Sequence, residues 1–313
     1  MGCSKSLPII LLLGKDGQVG RELSQSLMPY GQIVALGRGE LDLTDLAAIE
    51  RVLTQFQPDI VVNAAAYTAV DAAEGERALA SRVNAEVPGL LSEWAARAGA
   101  LLIHYSTDYV FDGRARRPYR ENDATSPLNV YGETKLEGEK LIRQSGARHL
   151  IFRTCWVYGL HGHNFLKTML RLMQDKQELR VVADQFGVPT SSRLIADVTT
   201  VAVSDYLRAR GSGRFDSGVY HLSSRGEASW YGFASHIATS LPACFPHLST
   251  ALERVTPVST EEFPTIATRP AYSVLDVSAL EKRFSLKMPD WEQGVELCLK
   301  QLATVADANF RLA

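Results

Sequence analysis

A chain of 313 residues with 46% hydrophobic and 22% charged side chains is long enough to bury one large core, or one core and a smaller neighbour, without disulfides or metal. A net charge of −2 and a pI near 6.4 exclude a general attraction to nucleic acid or to an anionic membrane, so a phosphate-bearing ligand must be held by local groups. The four cysteines, Cys3, Cys155, Cys244 and Cys298, are far apart and form no Cys-x-x-Cys, a pattern of free thiols in a reducing cytoplasm rather than of a disulfide framework or zinc site. No apolar run reaches the roughly 18 residues of a membrane span; the longest, "LPIILLL", has the length of a strand. The opening "MGCSKS" matches the myristoylation pattern at Gly2 and Ser6, with Cys3 open to acylation, and reads more simply as a short lead into the first strand.

The first element is "PIILLLGKDGQVGRELSQSL" (8–27), an apolar run, a glycine turn and an amphipathic segment. The run has the density of a buried parallel strand. Gly14, Gly17 and Gly20 give a G-x-x-G-x-x-G spacing, which lets a backbone approach a pyrophosphate at the N–H-rich start of a helix. A helix from about Gln18 buries Val19, Leu23 and Leu27 on one side. Strand-like runs follow at "QIVALG" (32–37), "PDIVVNAAA" (58–66), "ALLIHYSTDYVF" (100–111) and "RHLIFRTCWVYG" (148–159), with helical segments over 45–56, 74–98 and 127–144 between them. The alternation predicts an α/β fold, a doubly wound, Rossmann-type parallel sheet with helices on both faces, with ligands beyond the strand C-terminal ends. Those ends carry the Gly14–Gly20 turn, the turn from Gly37 to Asp42, "NAAA" from Asn63 and "STD" from Ser106.

The segment "NVYGETKLEGEK" (129–140) puts Tyr131 four residues before Lys135, on one face of a helix. A nearby ammonium favours the phenolate, so Tyr131 is a candidate acid/base. Spacing alone fits an exposed helix face better; it is the preceding "STD" strand end, in reach of the same crevice, that singles Tyr131 out. In an NAD-binding sheet an acid about 20 residues beyond the first glycine reads the adenosine ribose. Here the turn is "ALGRGELD": Gly37 stands at that place and Arg38 follows, which suits the extra phosphate of NADP, or else is a solvated surface arginine. His161 and His163 lack a third ligand and are read as a loop, so no metal site is expected. Residues 242–257 read as a loop as well.

Together these motifs resemble the extended branch of the short-chain dehydrogenase/reductase superfamily, the branch of sugar-nucleotide enzymes. Within it the ordered segments "GKDGQVGRELSQSL", "PDIVVNAAAYTAVDAAE", "IHYSTDYVFDG", "PLNVYGETKLEGEK", "FRTCWVYG" and "DQFGVPTSS", with "YHLSSRGEASWYGFA" and "RPAYSVLD" further on, are most similar to the dTDP-4-dehydrorhamnose reductase family. That resemblance implies transfer of hydride from NADPH, with NADH as the variant cofactor, to dTDP-4-dehydro-L-rhamnose, giving dTDP-L-rhamnose for cell-surface polysaccharide. It implies Tyr131 as proton donor, Lys135 as holder of the nicotinamide ribose and Thr107 as the hydroxyl on the ketone. It further implies Gly17, Gln18 and Val19 at the pyrophosphate, Asp42 and Leu43 at adenine, and Ala66, Tyr67, Thr68 and Tyr105 along the cofactor. Asp108 and Trp156 would touch the sugar; Asn164, Gln185 and Arg269 are further polar contacts to the sugar nucleotide, Arg269 either gripping the pyrophosphate or forming a surface ion pair. Residues 1–160 would form the cofactor domain and 161–313 mainly a smaller C-terminal substrate lobe, with some segments returning to the sheet. A homodimer, in some relatives bridged by magnesium, is a further implication, although Arg193 in "TSSRL" is a poor magnesium ligand. Related dehydratases follow "STD" with glutamate; Tyr109 stands there and removes the base for elimination. An epimerase, which keeps its cofactor bound, and a non-catalytic binding subunit remain the alternatives.

Overall fold

The computed structural model describes residues 7–210 and 215–305; the Gly2–Cys3–Ser6 acylation pattern lies outside the described residues. Side chains of β1 (Ile9–Leu13) alternate between two helical layers: Ile10 and Leu12 join one buried cluster, Leu11 and Leu13 another. The chain continues as α1 (Gln18–Ser26), β2 (Gln32–Leu36), α2 (Leu46–Phe56), β3 (Ile60–Asn63), the short α3 (Val70–Ala73) and α4 (Arg77–Ser81), α5 (Val87–Ala98), β4 (Leu101–Thr107), α6 (Val130–Gln144) and β5 (Arg148–Thr154). After it come β6 (Val157–Tyr158), α7 (Phe165–Asp175), β7 (Glu178–Val182), β8 (Phe186–Gly187), β9 (Thr190–Ser191), α8 (Ser192–Ala209), β10 (Gly218–His221), β11 (Ala228–Ser229), α9 (Trp230–Cys244), β12 (Arg254–Val258), α10 (Ser278–Phe284) and α11 (Trp291–Val305).

Six strands form one parallel sheet in the order β10-β5-β4-β3-β1-β2. The expected strands and the doubly wound arrangement are therefore present. Leu23 and Leu27 of the α1 end share one face with Ile195, Ala202 and Tyr206 of α8, and Ile49 and Leu53 of α2 share the other with Leu91 and Trp94 of α5 and Ile142 of α6. The chain leaves β1 toward β2 on one side and β3 on the other, so the connections part beside β1 and open a crevice at its C-terminal end. A third cluster, with Tyr158, Leu170, Phe233, Ile237 and Leu299, lies among α7, α9 and α11. Beside it β7 and β12 pair in parallel. Among the described residues no helix is long and apolar enough to cross a membrane.

Two segments differ from their sequence reading. Residues 74–98 are not one helix: a turn at Glu74 and Gly75 precedes α4, a single π turn over Arg82–Glu86 follows it, and only then comes α5. Pro88 has no N–H to return to the carbonyl four residues back, and the Asn84 side chain is engaged elsewhere, so the regular ladder is interrupted there. Residues 242–257 are only partly loop. Pro242 lies in the last turn of α9, and Pro257 sits in β12 opposite Val181, on an edge strand that tolerates a missing donor.

Candidate active site

A cavity of about 1010 Å³ lies along the C-terminal ends of β1, β2, β3 and β4 and the first turns of α6. One end is formed by the β1–α1 turn. Gly14 has φ of +83°, and a Cβ there would lie 2.8 Å from the Ala65 nitrogen; a Cβ on Gly20 would lie 2.0 Å from the Gly14 oxygen. These glycines therefore let the turn, β3 and α1 close together. Gly20 is packed beneath the turn, while Gly14, Gly17, Gln18 and Val19 line the cavity. No side chain caps α1, so the N–H groups of its first turn remain directed at the opening. Arg38, Asp42 and Leu43 line the same end, and Ala66, Tyr67 and Thr68 line the middle. The Asn84 side chain fixes that middle loop, accepting from the Tyr67 N–H at 2.9 Å and donating to the Tyr67 carbonyl at 3.0 Å and the Thr134 hydroxyl of α6 at 3.2 Å.

At the other end stand Tyr131 and Lys135. Asn129 caps α6, accepting from the Gly132 N–H at 2.8 Å, and sets the phase of the helix so that both residues line the cavity. Lys135 is 1% exposed; its Nζ donates to the Tyr105 carbonyl at 2.5 Å and lies 3.2 Å from His104 Nε2. His104 Nδ1 lies 3.2 Å from the Asn63 amide nitrogen, so a polar chain from β3 through β4 reaches the lysine. Burial pushes the Lys135 ammonium down to about 8, with Glu139 opposing the shift. Burial, followed by the Lys135 charge, pushes His104 well below its ordinary range, which keeps it neutral. Burial raises the Tyr131 phenol to about 12; the Thr107 hydroxyl pulls it back and the Asp108 charge adds to the rise. Tyr131 meets Tyr109 edge to face at 5.9 Å. Behind Lys135 the buried Glu139 carboxylate accepts from Arg153 at 2.7 and 3.0 Å and from Ser106 at 2.5 Å.

Of the remaining expected residues Tyr105 lines the cavity, and the others stand back from its wall. Thr107 closes β4, donating to Asp108 at 3.0 Å and accepting from the Tyr109 N–H at 3.1 Å. Asp108 is buried and also accepts from Cys155 at 3.2 Å; desolvation raises its carboxyl to about 6. The Tyr105 ring points into the core, its hydroxyl 2.8 Å from that of Thr199. Trp156 has φ of +45°, a left-handed conformation costly for a bulky residue, and stacks on Trp230 with centroids 3.5 Å apart. Asn164 caps α7 and donates to Gln18 and to the Gly159 carbonyl, at 2.9 Å each. Gln185 donates to Thr260 at 3.1 Å, and Arg269 pairs with Asp71 at 3.0 Å. Asn164, Gln185 and Arg269 thus make intramolecular bonds, with Arg269 presenting one guanidinium edge to α3 rather than a free fork. Arg193 pairs with Asp197 at 2.9 Å. Of the residues the motifs did not single out, His104, Asn84, Glu139 and Arg153 brace the site and His163 lines it. A histidine inside the apolar run "LLIHYST" and an asparagine inside "RVNAEVPGLL" were the available signals.

The arrangement offers a phenol and a buried ammonium at one end of a long cavity and an uncapped helix N-terminus at the other. Comparison with known proteins agrees with the geometry. The family model described as the RmlD substrate binding domain matches residues 9–304. The chain is 48% identical over 293 residues to a dTDP-4-dehydrorhamnose reductase of Burkholderia thailandensis, covering 94% of this chain and 98% of the relative. It is 43% identical over 299 residues to that of Escherichia coli K12, with the same coverage. The crystal structure of the Bacillus anthracis dTDP-4-dehydrorhamnose reductase in complex with NADP superposes with a TM-score of 0.85 at 34% identity, covering 94% of this chain and 99% of that one. The chain belongs to the RmlD substrate-binding-domain family, the family of the dTDP-4-dehydrorhamnose reductases.

Proposed function

We propose that the protein reduces dTDP-4-dehydro-L-rhamnose to dTDP-L-rhamnose with NADPH, a step in the synthesis of cell-surface polysaccharide. The observation that carries this reading is the near full-length identity to reductases of that name, together with Tyr131 and Lys135 on the wall of a dinucleotide-sized cavity. The cavity fits such a cofactor: the glycines of the β1–α1 turn let its backbone line the opening, and the α1 N-terminus is uncapped. When bound, the reduced nicotinamide supplies the hydride. Gly17, Gln18 and Val19 hold the pyrophosphate, Asp42 and Leu43 border the adenine, and the Ala66–Tyr67–Thr68 segment and Tyr105 border the middle. Lys135 binds the nicotinamide ribose and, while protonated, favours ionisation of Tyr131. Tyr131 gives its proton to the substrate oxygen as that oxygen gains charge, and Thr107 turns its hydroxyl from Asp108 to the same oxygen. Asp108 and Trp156 border the sugar. Residues 1–160 carry the cofactor, and the lobe built on α7, α9 and α11 covers the sugar nucleotide.

The test is stoichiometric. Purified protein mixed with NADPH and dTDP-4-dehydrorhamnose should consume about one NADPH per sugar reduced, because a reductase must release its oxidised cofactor in every cycle. Conversion of the sugar without loss of NADPH would mean an epimerase, and binding without conversion would mean a non-catalytic subunit.

A further inference from the structure

In a dinucleotide-binding sheet the residue just beyond the second strand commonly carries the acid that accepts from the adenosine ribose. Here β2 ends at Leu36 and Gly37 follows, with no side chain to offer. The space is nevertheless taken by an acid from another element. A Cβ on Gly37 would lie 1.8 Å from Asp16 Oδ2, so the carboxylate of Asp16, in the glycine turn after β1, sits where the side chain of residue 37 would begin. The other acids nearby are occupied. Glu40 is paired with Lys15 and accepts from the Gly37 N–H at 2.9 Å. Asp42 accepts from the N–H and the hydroxyl of Thr44, at 2.9 Å each. Asp16 lines the cavity and its carboxylate has no hydrogen bond or ion pair with the described residues; Arg38 lines the same end and its guanidinium has none either.

We infer that Asp16 is a specificity-determining residue for the cofactor, an acid supplied from the glycine turn in place of the one missing at position 37. A carboxylate only accepts hydrogen bonds, so it suits the vicinal hydroxyls of the ribose in NADH and repels a phosphate on that ribose. Arg38 acts in the opposite sense, since a guanidinium pairs with phosphate. With the two side by side, this chain takes both cofactors, and Asp16 limits its preference for NADPH. The inference rests on the nicotinamide reading proposed above.

The test is direct binding without sugar, following nicotinamide fluorescence to obtain Kd for NADPH and for NADH separately. Asp16→Asn keeps the volume of an exposed side chain and removes its charge. It should move the ratio of the two dissociation constants roughly five- to tenfold toward NADPH, by tightening NADPH, weakening NADH, or both. High salt should shrink the shift, because an exposed charge is screened. Binding of both cofactors with an unmoved ratio, or a ratio moved toward NADH, would overturn the role of Asp16 and leave the reductase reading standing. Binding of neither cofactor to the unaltered protein would overturn both.

Discussion

Where β4 meets α6, the charged groups are buried and each has a partner: Lys135 is 1% exposed against the Tyr105 carbonyl and His104, and Glu139 and Arg153, at 1% and 2%, pair with each other. Where β2 leaves the sheet, the opposite holds. The Lys15 and Glu40 side chains of the ion pair are 30% and 46% exposed, and the Asp16 and Arg38 side chains line the cavity with no hydrogen bond or ion pair among the described residues. Both regions border one cavity, yet they hold charge by different physics. A buried charge must be matched by fixed partners, so the proposed chemical end is stiff and its polar groups are mutually dependent. An exposed charge is matched by solvent, so the proposed adenosine end discriminates among ligands without bearing on the fold.

The sharpest way to break this contrast is to remove one buried partner. Glu139→Ala leaves the Arg153 guanidinium buried without its carboxylate and Ser106 without its acceptor. The expected loss of folding stability is about 3–5 kcal/mol, measured by urea unfolding. The matching change at the exposed end, Lys15→Ala, should leave the unfolding midpoint close to that of the unaltered protein. Equal effects from the two substitutions would erase the distinction between the ends.

Next in size is the chemistry. Tyr131→Phe keeps the ring against Tyr109 and removes only the hydroxyl, so turnover should fall by roughly 10²-fold or more while the cofactor still binds. Turnover near that of the unaltered protein would remove Tyr131 as the proton donor. The pH dependence follows from Lys135. Its ammonium is held down to about 8, so it is charged below that pH and neutral above it. Turnover should therefore be level below about 8 and decline as pH rises through that value, and a profile flat to pH 10 would exclude a role for the Lys135 charge.

The same contrast explains what could be read from the chain alone. Tyr131 and Lys135 were legible because a helix places residues four apart on one face, and the sheet was legible because buried parallel strands are continuous apolar runs. Partnerships across the fold were not. The His104–Lys135 contact joins residues 31 apart, and Arg269 reaches Asp71 across 198 positions. Asn164 was expected to contact the sugar nucleotide; that its side chain caps α7 at the Lys167 N–H and donates to Gln18 and the Gly159 carbonyl could not be read from the chain. The helix expected over 74–98 failed at Pro88 and Asn84, where a missing donor and a side chain bonded to the Tyr67 loop override helical propensity.

The smallest expected effect lies at the exposed end and tests whether that end selects by charge. Arg38→Ala removes a guanidinium that lines the cavity and has no hydrogen bond or ion pair among the described residues, so folding stability should be unchanged. If Arg38 meets the ribose phosphate, NADPH should bind roughly tenfold more weakly, the scale of one charge-assisted contact at a partly solvated site. NADH, which lacks that phosphate, should be nearly unaffected. The loss should diminish as salt rises, since the pair is open to solvent, whereas the turnover loss of Tyr131→Phe, set at the buried end, should not vary with salt. Equal weakening of both cofactors would mean that Arg38 acts on the shared adenosine or on the turn itself. The Asp16 carboxylate against Gly37 would then carry the discrimination between a ribose hydroxyl and a ribose phosphate without help from Arg38.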